Sequence, residues 1–256
     1  MPELPDSLAA FIERGEVRDR SLAVVNRTRP QPIQDMLEAT FGHASVGITE
    51  LDLPDAEDDA VVLLEDDDVV ASSPLSALEN EVLMVNSDLY ITGTKSLGDV
   101  SLPDVLAELE ETRFRVRGYP ASNSEKLPLI LISRYIEQLA WNHKSGRLRS
   151  SFQRLSRLND ERGTRNVYRQ LGETAVNVHV YGVPDWIPPQ SFPGVIHAGY
   201  DGEFRSSWFV VHDPEADDAR PAALVAERVA ENEWDALWTF RPERVKAVNR
   251  YIERSL

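Results

Sequence analysis

Short apolar runs of strand length alternate with stretches of helical periodicity along the whole chain, and this alternation most constrains the fold. It predicts an α/β protein, with helices packed on one or more mixed sheets. Ser21 to Asn26 reads as a buried strand, Pro32 to Phe41 as a helix with Ile33, Met36 and Leu37 on one side, and Val46 to Leu51 as a returning strand. Ala60 to Leu64 and Val69 to Ser72 read as hairpin arms around the acidic turn Glu65-Asp66-Asp67-Asp68. Ser73-Pro74 predicts the start of a short helix, Val82 to Val85 another strand, and Pro103 to Leu109 a helix with proline in its first turn.

Between Ser124 and His143, Leu129, Ile132, Ile136, Leu139 and Ala140 recur at helical spacing, which makes this stretch a central packing helix. Leu148, Ser150 and Phe152 then alternate as a strand, Thr164 to Leu171 reads as a helix and Val176 to Tyr181 as a strand. Four further strands are predicted at Gly194 to His197, Trp208 to His212, Ala223 to Val229 and Ala236 to Phe240, followed by a helix from Pro242 to Arg254. Ser21 to Thr49 and Leu148 to Gly182 share one plan: strand, Arg-bearing loop, helix, strand. This plan is compatible with an internal duplication into two similar α/β halves. The division would be 1–120 and 121–256, with the boundary in the Gly-, Pro-, Ser- and Asn-rich stretch Gly118 to Asn123.

Charge is distributed unevenly. The chain carries a net charge of -16, yet from Lys144 to Arg169 there are one Lys and seven Arg against only Asp160 and Glu161. So much guanidinium in one place calls for an answering anion, either a ligand, a partner protein or the chain's own carboxylates. Arg162, Arg165 and Arg169 fall at i, i+3 and i+7 on the predicted helix, with Arg154 and Arg157 on the loop beneath. Guanidinium forks suit phosphate or carboxylate. Phe152, Gln153 and Trp186, the last in a Pro-rich loop after a strand, would wall such a pocket, and Ser133 and Glu137 on the long helix would couple to it. Glu137 could orient a ligand or pair with an Arg of the island.

Only four of the 27 basic residues are Lys, and the acids cluster as on a halophile's surface. Nucleic acid is disfavoured as a partner on such a surface. The absence of cysteine removes disulfides, thiolate metal sites and Cys nucleophiles and fits a reducing interior. An acidic start without an apolar segment, and a longest apolar run of Leu127 to Ile132, predict a cytoplasmic chain with no membrane span. No HExxH or GxSxG spacing is present, so neither a metal site nor a nucleophile elbow is predicted, and the cofactor is left unassigned. Gly93-Thr94-Lys95-Ser96 has the phosphate-loop ending out of order. His179, His197 and His212 lie on predicted strands that could bring them together.

The ordered set Leu131 to Glu137 (LISRYIE), Leu148 to Gln153 (LRSSFQ), Arg154-Leu155-Ser156, the Tyr168 to Leu171 helix and Val178 to Gly182 (VHVYG) resembles the DICT sensory domain. The resemblance covers Ser124 to Leu256, and the first half looks like the amino-terminal part of free-standing halophilic archaeal members. It implies a signal-sensing module without established catalytic residues, whose output passes through a separate signalling protein. From residues and resemblance together, the expected function is a sensory or regulatory module for a small anionic ligand or a partner protein, with self-association left open. The alternative is a nucleotide- or phosphate-handling α/β enzyme with a distributed active site.

Overall fold

The computed structural model describes residues 4–15, 20–28, 46–54, 56–87, 97–117, 127–214, 219–231 and 233–256. The predicted helix Pro32 to Phe41, the Gly93 to Ser96 segment and the Gly118 to Asn123 boundary lie outside them. The strands are β1 (Arg20–Val25), β2 (Val46–Leu51), β3 (Ala60–Glu65), β4 (Asp68–Pro74), β5 (Phe114–Arg117), β6 (Arg147–Arg154), β7 (Asn177–Val183), β8 (Val195–Ala198), β9 (Ser207–Asp213), β10 (Ala222–Ala230) and β11 (Glu233–Thr239). The helices are α1 (Leu8–Glu13), α2 (Leu75–Ser87), α3 (Asp104–Ala107), α4 (Leu127–His143), α5 (Arg157–Asp160), α6 (Arg162–Gly172), α7 (Gly202–Ser206) and α8 (Pro242–Ser255). None is long and apolar enough to cross a membrane.

Two mixed sheets form, in the orders β2-β1-β3-β4 and β5-β11-β10-β9-β6-β7-β8. In the first, β1 and β2 run parallel, and β3 pairs antiparallel on the other side of β1, followed by β4. The segment β7-β6-β9-β10 of the second sheet repeats that order and those directions. The molecule is thus a mixed α/β fold whose two regions share a strand plan. Two elements from before residue 120 join the larger sheet: β5 pairs with β11, and α1 packs on β10 and β11.

Alternation along the strands of the larger sheet separates two apolar layers. Leu148, Val210, Leu224 and Trp238 face α4 and belong to a core that continues through α2 and α3 to Leu22, Val24, Val61 and Leu63 of the smaller sheet. Phe209, Val211, Val225 and Leu237 face the opposite way and are covered by α1 and α8 through Leu8, Phe11, Val248 and Ile252. The acidic hairpin turn is a two-residue loop with Asp66 and Asp67 both at positive φ, as a type I′ turn requires.

Five elements depart from the sequence reading. Val82 to Val85 is not a strand but the second half of α2, whose first turn is buried through Leu75 and Leu78. A four-residue apolar run fits a buried helix as well as a strand. The short elements α1, β5, α5 and α7 were not anticipated; each is recognisable only through what it packs against.

Candidate functional site

In the larger sheet, α5 and α6 form the crossover between the parallel strands β6 and β7. The residues after β7 then run back along α6 to reach β8. This return loop, 184–194, is held at both ends. At its start Asp185 accepts hydrogen bonds from the Ser156 backbone N–H (3.0 Å) and from Ser156 Oγ (2.9 Å). Although desolvation acts the other way, these bonds and the charge of Arg154 hold the Asp185 carboxyl below its usual range. At its far end Pro193 lies on Gly172, where an added Cβ would sit 2.3 Å from the proline Cβ. Turn bonds from Phe192 N–H to the Pro189 carbonyl and from Gly194 N–H to the Phe192 carbonyl keep the intervening stretch compact.

Between the loop and the helix lies a cleft of about 320 Å³. Arg165, Tyr168, Arg169 and Glu173 line the helix side, and Trp186 and Phe192 line the loop side. Arg165 and Arg169 are exposed, one helical turn apart, and neither takes part in an ion pair or side-chain hydrogen bond among the described residues. Tyr168 is buried at the base, with Phe152 edge-on behind it at a ring separation of 5.3 Å.

The structure divides the basic island. Arg165, Arg169 and Trp186 meet in one cleft, while Arg162 sits exposed at the start of α6 and Arg154 at the end of β6, neither lining it. Phe152 supports the cleft from the core side. Gln153 is at positive φ, next to an irregularity in the β6–β7 pairing; it is buried, donating from Nε2 to the Ser207 carbonyl (2.7 Å) and accepting from Arg157. Arg149 is answered internally: it is 2% exposed and donates to Asn249 Oδ1 (2.7 Å), the Tyr181 hydroxyl and Glu253.

Ser133 and Glu137 are likewise fixed within the protein. Ser133 Oγ donates to the Leu129 carbonyl (2.7 Å) and accepts from the Trp208 indole (3.1 Å). Glu137 accepts from Arg134 at 2.6 Å, so its partner is on its own helix and not in the island; i, i+3 spacing makes that contact local. Arg134 reaches on to Thr164 Oγ1 (2.9 Å), whose hydroxyl donates to Glu161 (2.9 Å), and this chain ties α4 to the base of α6. Burial works against the Arg134 charge, but the charge and hydrogen bond of Glu137 outweigh it and raise the guanidinium pKa further. In the same cluster the Tyr168 hydroxyl and Ser150 Oγ are buried without a hydrogen bond of ordinary geometry. Burial, and then the Glu137 charge, lift the Tyr168 phenol well above its ordinary pKa. Tyr168 therefore touches both the cleft and the buried pair. The sequence showed Tyr168 only as part of the helix Tyr168 to Leu171; its place between the cleft and the buried pair follows from the packing of α6 on α4.

The strand histidines pair off. His179 Nδ1 lies 3.0 Å from His197 Nε2, and His212 Nε2 lies 3.0 Å from His143 Nδ1. No three metal-ligating side chains converge among the described residues.

Comparison with known proteins identifies the region around this cleft. The family described as DICT, a sensory domain in diguanylate cyclases and two-component systems, matches residues 104–228. A DICT sensory domain is thus present from α3 through β10, starting upstream of the Ser124 to Leu256 stretch singled out by sequence and ending before β11. No curated protein matches the chain. A crystal structure of polyphosphate kinase from Porphyromonas gingivalis is similar over 96% of this chain and 47% of its own length, at 11% identity and a TM-score of 0.31. The chain spans about half the length of that protein, and a likeness at this level carries no argument about activity.

Proposed function

We propose, from the premise that residues 104–228 form a DICT sensory domain, that this protein is a sensory or regulatory module in signal transduction. It reads a small anionic ligand, or an anionic group on a signalling partner, at the cleft between α6 and the 184–194 loop, and it acts without a catalytic step of its own. The observation that carries this reading is the pair Arg165 and Arg169: exposed, adjacent on one helix face, unanswered by a carboxylate and facing an aromatic wall. Guanidinium groups answered internally, such as Arg149 and Arg134, are committed to the fold; these two are available for recognition.

Occupation of the cleft would press on Tyr168, whose hydroxyl end abuts the Arg134–Glu137 pair, and so would reach the long helix α4. The test is native mass spectrometry and calorimetry on the purified chain and its Arg165→Glu/Arg169→Glu variant, in high salt. The variant should lose the anionic molecule or partner that the wild type retains, with circular dichroism unchanged. Equal retention by both proteins would overturn the assignment.

A further inference from the structure

The chemistry of the cleft narrows the ligand. Its two guanidinium groups lie on the helix side, whereas the opposing loop presents Trp186 and Phe192 together with Pro189 and Pro193, with Tyr168 at the base. Inorganic phosphate or a small hydrophilic acid would satisfy the arginines and leave the aromatic walls without a partner. A wholly apolar ligand would fill the walls and leave two cations unanswered. Glu173 at the Gly172 end places a negative charge opposite any ligand that is anionic along its whole length. Prolines in the loop, pinned at Asp185 and at Pro193, hold the aromatic wall in place. The cavity is near the lower end of small-molecule sites, about 300–1,000 Å³.

We propose that the cleft binds a small aromatic carboxylate: a planar ring set against Trp186 and Phe192, with its carboxylate on Arg165 and Arg169. The proposal rests on the cleft being the sensory site and specifies what that site reads. The ring offers offset or edge-on contacts to the aromatic wall, and the carboxylate offers the acceptor geometry that guanidinium forks match. The overall charge of -16 acts against polyanions approaching from solution and penalises a single carboxylate least.

Matched probes separate the two requirements. Indole-3-acetate carries ring and charge, indole-3-acetamide the ring without the charge, and acetate and inorganic phosphate the charge without the ring. Each is titrated into the full chain by calorimetry, with the Trp186 contribution to fluorescence identified by Trp186→Phe. Indole-3-acetate should bind, and the amide should bind about tenfold or more weakly, as expected when a charge-assisted hydrogen bond is lost. Arg165→Glu/Arg169→Glu and Trp186→Ala should each remove the binding, with Trp186→Phe keeping most of it. Because the three side chains lie on an exposed helix face and a loop, circular dichroism and urea midpoints identify any variant that fails to fold. If acetate or phosphate binds as tightly as indole-3-acetate through the same arginines, the aromatic part of the proposal is wrong and the anion-sensing reading stands. If indole-3-acetate does not bind, or binds equally to the arginine variant, the proposal is overturned. Retention of another anionic molecule or a partner by the wild type alone would then still support the broader reading.

Discussion

Arg134 and Glu137 form a buried ion pair within α4. Both are nearly solvent-free, at 9% and 2% exposure, and each is the other's main compensation for lost hydration. Glu137→Gln should therefore cost about 3–5 kcal/mol, because it leaves a buried guanidinium without its counter-charge. Replacing both members by apolar residues, Arg134→Met with Glu137→Leu, should recover much of that loss, since a buried pair is often worth little against a hydrophobic isostere. Urea midpoints of the wild type and the two variants check this; a double variant no more stable than Glu137→Gln would mean that the Thr164 and Glu161 bonds, and not the pair, dominate. At this scale the sequence was readable in part. The i, i+3, i+7 spacing of Arg162, Arg165 and Arg169 correctly gave a basic helix face. Glu137, however, found its cation three residues away, where local geometry outcompetes the distant island. Phe152 and Gln153 were grouped as one pocket wall, although neighbours on a strand point to opposite faces, and only Phe152 lies behind the cleft.

At the scale of elements, the cleft depends on how closely the 184–194 loop lies on α6. Gly172 is the contact point, because its missing Cβ leaves the space that Pro193 occupies. Gly to Ala in a helix ordinarily stabilises by about 1 kcal/mol. Gly172→Ala should do the reverse and cost about 1–3 kcal/mol, since the loop must move or the helix end distort. Gly202→Ala at the start of α7 is the matched control, as an added Cβ there meets nothing within 4 Å. Thermal or urea unfolding should show opposite or unequal signs for the two substitutions, and equal small gains would show that Pro193 yields freely. The positions of long, strongly periodic elements such as α4, α6, α8 and the paired strands could be read from the sequence to within a few residues. Val82 to Val85 could not, because four apolar residues carry no period; nor could β5, whose existence is decided by its partner β11 across more than a hundred residues.

Across the whole molecule, the two regions share the order β2-β1-β3-β4 and β7-β6-β9-β10, a likeness visible in the sequence as a repeated plan of elements and not as repeated residues. The larger sheet and α4 also bring four histidines into two pairs, His179 with His197 and His212 with His143, and these make the molecule acid-sensitive. Burial, followed by the charge of His143, depresses His212 to about 4; burial, followed by the charges of Arg149, His197 and Arg147, depresses His179 to about 4. His197 is lowered by burial and by Arg149. A depressed pKa means that the unfolded chain binds more protons than the folded one across the window from about 6.5 down to about 4. The stability these groups support is therefore present above that window and lost as pH falls through it. For the well-buried His212 the loss approaches about 1.4 kcal/mol per pH unit, while the half-exposed His179 contributes less because solvent screens it. Urea midpoints should fall between pH 7 and pH 5, before most carboxylates titrate, and His212→Gln with His179→Gln should flatten that slope. A slope unchanged in the double variant would place the acid sensitivity in the carboxylates and not in the histidine pairs.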